Sequence, residues 1–430
     1  MQNYQQDWMF TQQDVLPVLE SATLGRQWHL QMNDALAAQG QHFGFGGTMC
    51  SNYLQSTEMP VVTNGRTTDD YHAGLYPNDG RDLNWRTGLA SVFQFALGVV
   101  PAKDGFWSTA VQPGHPYKDN RTEPFANLQA AVAVLTRGPV SPSDKIGLIN
   151  RTLVMRTCTE DGTLLQPDVP ARALDAQVAR LAFGAARHGP DGEVWATFTD
   201  VAGAGRFFHV LAADLKAPYA LGADDLANLP HGAPGFGGPA CLCTSYRNGA
   251  SPRAARLCRG PEEPNATFPC YPANPPSNPD RCDADWAPCA VRRMVAYENS
   301  HAPASASGGV TVVPFLPGAR LALAACGKRD FALWHTAPVL PNGWAFLGET
   351  GKFVPVAANR LLALAHTTAG GGTGSSVAAT VAGVPGETVR LAFYRAPTAA
   401  EGGDGAVVTV ACTFGQSGRM TAEVPAGTCA

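Results

Sequence analysis

The sequence predicts an α/β unit followed by an all-β unit: a parallel sheet or (β/α) barrel over 1–185, then an antiparallel β-sandwich over 186–430. Three observations carry that expectation. Up to about residue 185, short apolar runs alternate with helix-like segments, the βαβα pattern of a parallel sheet. From about Glu193 the apolar residues instead fall into short strand-like runs separated by Gly and Pro clusters. Between the early and later strands, at about 230–291, lies a Pro-rich stretch holding Cys241, Cys243, Cys258, Cys270, Cys282 and Cys289, which reads as a disulfide-rich insert.

Each element of the first unit has its own signal. From Leu24 to Gln39, Leu24, Trp28, Leu30, Met32, Ala35 and Leu36 recur at near-helical spacing and Gly40 closes the segment. His42-Phe-Gly-Phe then reads as a strand entering a glycine turn, and Pro60 to Arg66 as a second strand that delivers Thr67-Thr-Asp-Asp-Tyr at its end. A helix over Arg86 to Leu97 leads to the strand-like Gly98-Val-Val-Pro, with Lys103-Asp-Gly-Phe-Trp just beyond it. A further helix over Phe125 to Leu135 precedes Gly138-Pro-Val and the turn Ser141-Pro-Ser-Asp-Lys. Four times, polar or acidic groups follow a strand, which in a (β/α) barrel is the face where loops build the active site. In the second unit, strands are expected at Val194–Phe198, Phe207–Leu211, Val310–Pro314, Arg320–Leu323, Phe331–Trp334, Val389–Phe393 and Ala406–Val410.

Composition narrows the function classes. The chain has 430 residues, of which 45% are hydrophobic and only 15% charged, with 31 basic against 35 acidic residues and a net charge of −4. Such a balance forms no basic patch for nucleic acid. No apolar run reaches the roughly 18 residues of a membrane helix, so no membrane span is expected. The cysteines lack the paired short spacings of a zinc site, and disulfides are the expected state, with no metal and no cofactor. Sequons at Asn120, Asn150 and Asn265 agree with an oxidising, secreted or vacuolar-lumen setting. Yet Met1-Gln-Asn-Tyr-Gln-Gln-Asp-Trp has neither a basic nor an apolar leader region, so either a signal peptide and the true start lie upstream or the cysteines and sequons mislead.

The acidic groups admit two readings each. Asp7, beside Trp8, and the adjacent Asp69 and Asp70 are either helix caps or catalytic carboxylates. Arg66 is a ligand for a polar group or a structural ion-pair partner. Lys103 and Asp104 suit hydrogen bonding to a ligand's hydroxyls and Trp107 suits stacking on an apolar face; a helix cap and a core tryptophan are the alternatives. Asp144 and Lys145 follow a strand end, at the mouth or in a surface turn. Cys50 is read as a buried thiol or a partner for another cysteine such as Cys158.

An ordered series of motifs resembles the α-galactosidase and raffinose-synthase glycoside hydrolases. After Asp7 and the helix with Trp28, Met32 and Leu36 come Thr48-Met-Cys, Leu54-Gln-Ser, Val62 and Arg66. Thr68-Asp-Asp-Tyr then resembles the end of Arg-Ala-Ser-Asp-Asp-Phe, and Pro101-Ala-Lys-Asp-Gly-Phe-Trp-Ser resembles Pro-Asp-Trp-Asp-Met-Phe-His-Ser. Gly138-Pro-Val-Ser-Pro-Ser-Asp-Lys-Ile-Gly is similar to Gly-Pro-Val-Tyr-Val-Ser-Asp-Lys-Pro-Gly, and Asp161-Gly-Thr-Leu-Leu-Gln-Pro to Pro-Asp-Gly-Ser-Ile-Leu-Arg. The resemblance implies that 1–185 is the C-terminal half of a (β/α)8 (TIM) barrel, a partial barrel, and that the substrate is an oligosaccharide or glycoside. It also implies a retaining mechanism with Asp7 as nucleophile and Asp70 or Asp69 as acid/base, whose carboxyls stand about 5 Å apart. Arg66, Lys103, Asp104, Trp107, Trp8 and Asp144 would bind the sugar. The motif around Asp7 departs from the family's usual Val-Asp, and a non-catalytic carbohydrate-binding or cell-surface protein, or an inactive fragment, is the alternative.

Overall fold

The computed structural model describes residues 3–6, 11, 14–40, 42–45, 58–59, 61–73, 84–116, 121–185, 188–227, 294–299, 310–315, 319–327, 330–367, 375–397 and 405–430. Asp7, Trp8, Cys50, the sequons at Asn120 and Asn265 and the Cys-rich segment lie outside them.

The first half builds one all-parallel sheet whose strands lie side by side in chain order. Strand β1 (Asn3–Gln6) is followed by helices α1 (Leu16–Leu19) and α2 (Leu24–Ala38), then β2 (His42–Phe45) and β3 (Val62–Arg66). Helix α3 (Gly88–Ala96) leads to β4 (Val100–Ala102), and the order β1-β2-β3-β4 is parallel throughout. Beyond β4, Phe106 makes a parallel bridge to Pro142, with helix α4 (Ala126–Leu135) between them in sequence. Gly138 is needed for that approach, because a Cβ there would stand 2.6 Å from the Pro101 carbonyl oxygen. Helix α5 (Arg151–Val154) follows, capped by Asn150, whose Oδ1 accepts the Leu153 N–H at 3.1 Å.

Helix α4 joins the two halves. From Leu128 to Leu135 every residue is buried, as a helix apolar on all sides requires. Its side chains share one cluster with Phe106, Trp107, Trp195, Leu211, Phe331, Leu333 and Phe353, so the helix is enclosed by residues from both halves.

The second half is antiparallel and falls into several sheets, none of them closed. Strand β5 (Arg172–Ala173), helix α6 (Asp175–Phe183), β6 (Glu193–Val201), β7 (Gly205–Ala213), β8 (Tyr219–Gly222) and α7 (Ala223–Ala227) lead to β9 (Met294–Glu298), β10 (Val312–Phe315), β11 (Arg320–Leu323) and β12 (Phe331–Pro338). A six-stranded sheet runs β10-β9-β12-β7-β6-β5, while β11 pairs β8. Because β5 at Arg172–Ala173 already pairs β6, this sheet begins ahead of the expected boundary at 185. The remaining strands are β13 (Trp344–Gly348), β14 (Leu361–Thr367), β15 (Ser376–Ala382), β16 (Thr388–Arg395), β17 (Ala406–Thr413), β18 (Arg419–Val424) and β19 (Thr428–Cys429). They form sheets β13-β16-β17 and β14-β15-β18-β19, which bury one apolar cluster including Phe346, Leu391, Phe393, Val377, Val381 and Met420. Inside that region Arg360 is held by Glu349 at 2.6 Å and by Glu387, all three side chains being buried. Cys412 and Cys429 form a disulfide, whereas Cys158 and Cys326 are free thiols.

Two buried histidines cross the six-stranded sheet. His209 Nδ1 and His335 Nδ1 lie 2.8 Å apart, so one donates and the other accepts, which requires at least one neutral ring. Burial lowers the His209 imidazole to about 3 and holds His335 well below its ordinary value. The unfolded chain therefore takes up protons below about pH 6.5 that the folded chain refuses, and stability falls as pH drops from there toward 3. Both histidines contribute to that loss in the same direction. Urea denaturation at pH 7, 6, 5 and 4 measures it, and a His209→Asn variant is expected to show a shallower pH dependence.

Candidate functional site

The ends of β3 and β4 are joined by a short polar network. The Thr67 N–H donates to the Ala102 carbonyl at 2.8 Å, and the Thr67 hydroxyl donates to the same oxygen at 3.0 Å. One residue on, the Asp104 N–H donates to the Thr68 hydroxyl at 3.0 Å. These bonds extend the parallel pairing past the strands and bring the two following loops together.

Arg66 is the hub of this arrangement. Its guanidinium, 12% exposed, donates through Nη2 to Asp70 Oδ1 at 2.6 Å and pairs through Nη1 with Asp104 Oδ2 at 3.1 Å. The structural ion-pair reading of Arg66 is therefore what the described geometry displays. Of the adjacent acids, Asp70 turns to Arg66 while Asp69 Oδ1 accepts the Asp70 backbone N–H at 2.9 Å. Both acids stay open to solvent, Asp70 with 58% of its side chain exposed, and Asp70 is the one that meets the guanidinium.

Several residues expected to bind sugar have other work. Asp104 accepts the Tyr71 N–H at 2.7 Å on Oδ2 and the Gly105 N–H at 2.8 Å on Oδ1, which commits both oxygens to the loop. Lys103 is buried, and its Nζ donates to the carbonyls of Asp104 and Gly105 at 3.0 and 2.9 Å, over the rings of Tyr71 and Phe106. Its ammonium is thus not presented to a ligand. Trp107 is 1% exposed and packs edge-on to Tyr71 and against His115. Asp144 points inward: Oδ1 accepts the Ser108 N–H at 2.9 Å and Gln112 Nε2 at 2.6 Å, clamping the loop after β4 to the turn after Pro142. Asp7 and Trp8 lie outside the described residues, and β1 ends at Gln6.

Glu123 belongs to the same region although no local signal marks it. It is 1% exposed and accepts the Tyr71 hydroxyl at 2.8 Å and the Phe125 N–H at 2.9 Å. An acid just ahead of Pro124 and a helix reads as a cap, and nothing nearby announces a tyrosine 52 positions earlier in the chain. Burial beside this carboxylate pushes the Tyr71 phenol far above its usual range, so it remains a neutral donor. Tyr71 thereby links two places: its backbone bonds Asp104 and its hydroxyl bonds Glu123.

Among the described residues no group of three or more His, Cys, Asp or Glu side chains is placed to hold a metal ion, and no helix is long and apolar enough to cross a membrane. The arrangement offers an exposed carboxylate held by an arginine at the carboxyl ends of parallel strands, where a polar ligand can reach it.

Two outcomes are expected from this geometry. Replacing Arg66 with Met strands Asp104 and Asp70 without their cation and is expected to destabilise the fold by about 1–3 kcal/mol, read from urea midpoints. Burial also pulls the Lys103 ammonium down from 10.5 to about 7, against the opposing attraction of Asp104 and Glu123. Between those values the unfolded chain keeps a proton that the folded chain has lost, so stability rises with pH across the window. A Lys103→Met variant is expected to lose that rise in denaturation curves at pH 7 to 10.

No protein-family model matches the chain, and no curated protein matches it either.

Proposed function

We propose that this chain belongs to a retaining α-glycosidase or transglycosylase acting on a terminal α-linked sugar of an oligosaccharide or glycoside, with Asp70 as its acid/base. The observation that carries the proposal is the pairing of exposed Asp70 with half-buried Arg66 at the carboxyl end of a parallel strand. In (β/α) folds catalytic side chains sit at that end. Support for the finer architecture comes from strand order: β1-β2-β3-β4 are parallel neighbours in sequence, and the Phe106–Pro142 bridge continues the series. That order suits adjacent strands of a (β/α)8 barrel, with the later sheets as a supporting β-sandwich. The Cys412–Cys429 disulfide is in keeping with a secretory compartment.

The chemistry follows from the carboxylates. The Asp7 carboxylate attacks the anomeric carbon as the bond to the leaving oxygen breaks, and Asp70 gives its proton to that oxygen. Asp70, now ionised, next takes a proton from water or from an acceptor hydroxyl, which attacks the anomeric carbon and releases Asp7. Two inversions give net retention. Arg66 and Asp104 position Asp70 and the loop after it, and neither needs to touch the sugar.

The test is release of galactose or glucose from an aryl α-glycoside. Asp7→Asn is expected to abolish turnover, and Asp70→Asn to lower it by about 10²–10⁴-fold. Full turnover by the Asp7→Asn variant would sink the nucleophile assignment, and full turnover by Asp70→Asn the acid/base assignment. Sugar binding by a wild-type chain that shows no turnover would favour the carbohydrate-binding reading instead.

A further inference from the structure

Helix α3 turns its polar side inward. It buries Gly88, Ser91 and Gln94, with Thr87 just ahead of it at the N-cap, and leaves Leu89, Val92 and Phe93 exposed. Two contacts locate the inner face. A Cβ on Gly88 would stand 2.2 Å from the Trp195 indole nitrogen, and the Arg172 guanidinium carbon lies 4.7 Å from the centre of the Phe95 ring. Trp195 pairs with Ala173, and Arg172 with Ala196, so the helix packs on β5 and β6 from Trp195 across to Arg172. Ser91 lies between the two contacts, about one turn from Gly88 and one from Phe95.

Arg172 has no counter-charge at this seam. Its side chain is 7% exposed, and the buried Nε and Nη2 donate to no acceptor. Burial pulls the guanidinium down to about 10, against the attraction of Asp175, an exposed residue with which it forms neither a hydrogen bond nor an ion pair. A cation so far from water is costly unless it is paired, and the Phe95 ring compensates it only in part.

The hydroxyls of Thr87 and Ser91 are left in the same condition. Both residues are 0% exposed, and neither oxygen has a hydrogen-bond partner. A helical serine ordinarily turns its hydroxyl to the carbonyl four residues back, and an N-cap threonine accepts a free N–H of the first turn; here neither bond forms. Thr87, Ser91 and Phe95 follow at intervals of four, so the two hydroxyls stand on the row of the helix that meets Arg172. An acceptor on the same helix, Gln94 Oε1, also lacks a partner, but Gln94 is drawn toward β3, where its Nε2 donates to the Arg66 carbonyl at 3.5 Å.

We propose that the seam between α3 and β5 binds one small monovalent anion of the chloride type, held by the Arg172 guanidinium and by the Thr87 and Ser91 hydroxyls as donors. One cation calls for one negative charge, since a divalent anion would replace an unpaired positive charge with an unpaired negative one. Full burial favours an anion that gives up its hydration cheaply, chloride or bromide over sulfate. The bound ion ties α3 of the parallel half to β5 of the antiparallel half, and this role is independent of the glycosidase reading.

The experiment unfolds the full-length chain with urea at constant ionic strength while sodium chloride replaces sodium gluconate across the millimolar range. The wild-type midpoint is expected to rise with chloride and then saturate, as binding to the folded state alone requires. In Arg172→Met the midpoint is expected to ignore chloride and, in gluconate, to be no lower than that of the wild type, because the unpaired charge is gone. Ser91→Ala is expected to need about tenfold more chloride for the same response. Broadening of the chloride NMR line by the native wild-type chain, and not by Arg172→Met, would report the binding directly. A wild-type midpoint indifferent to chloride, the behaviour of a seam holding only water, overturns the proposal. So does an equal response in the wild type and Arg172→Met, which is a general salt effect. If Arg172→Met does not fold, Ser91→Ala decides, and an unchanged chloride dependence in that variant overturns the site.

Discussion

The Arg66 guanidinium is the constraint on which the strand-end site depends. A cation with most of its surface withdrawn from water must be paired, and here it takes one carboxylate from its own loop and one from the neighbouring strand's loop. Asp104 can serve as the second partner because it also accepts two backbone N–H groups, which fix its carboxylate in place. Asp70 can then be both held and exposed. A free surface aspartate would sample many rotamers, whereas one tied to a rigid guanidinium is ordered before a substrate arrives.

The same logic extends outward through Tyr71, Glu123 and Arg156. Each is a buried polar group whose partners come from distant parts of the chain: Tyr71 reaches Glu123, and Arg156 reaches Asn299 and Gly351. Together with the apolar helix α4, these bonds tie the loops after the parallel strands to the antiparallel half. The loops that carry the site are thus supported from beneath by the second half of the molecule. Losing any one partner would leave a buried donor or acceptor unsatisfied, at about 1–3 kcal/mol.

Much of the fold was legible because periodicity reports burial. Strands such as β6, β7, β12 and β16 and the wholly buried α4 lie where their apolar runs place them, whereas α2 and α3 lie where expected but bury His29, Asn33, Ser91 and Gln94 and leave Trp28, Leu89, Val92 and Phe93 exposed. Others were hidden for physical reasons. Strand β13 is buried at every position, so it shows no alternation, and β15 alternates with Ala, Thr and Ser, too weakly apolar to stand out. β5 is only two residues long. In the site, Arg66 and the Asp69/Asp70 pair were visible as polar groups after a strand. Lys103 and Trp107 looked like mouth residues by the same rule, but their side chains turn inward, and sequence position gives a residue's place along a strand end without giving its direction. Glu123 was invisible because its partner is remote. Which of Asp69 and Asp70 meets the guanidinium likewise needed geometry: it is Asp70.

The role given to Asp70 makes a stereochemical demand that a structural aspartate would not. A retaining enzyme lacking its acid/base still forms the glycosyl-enzyme from an activated aryl α-glycoside, and then stalls, because no base activates water. Azide needs no base, so added azide attacks the intermediate directly. The decisive measurement is the product formed by the Asp70→Ala chain from such a glycoside with azide present. A glycosyl azide of retained α configuration, with turnover restored by azide, is the expected result. A β-configured azide would make Asp70 the nucleophile, and turnover indifferent to azide would remove it from the chemistry.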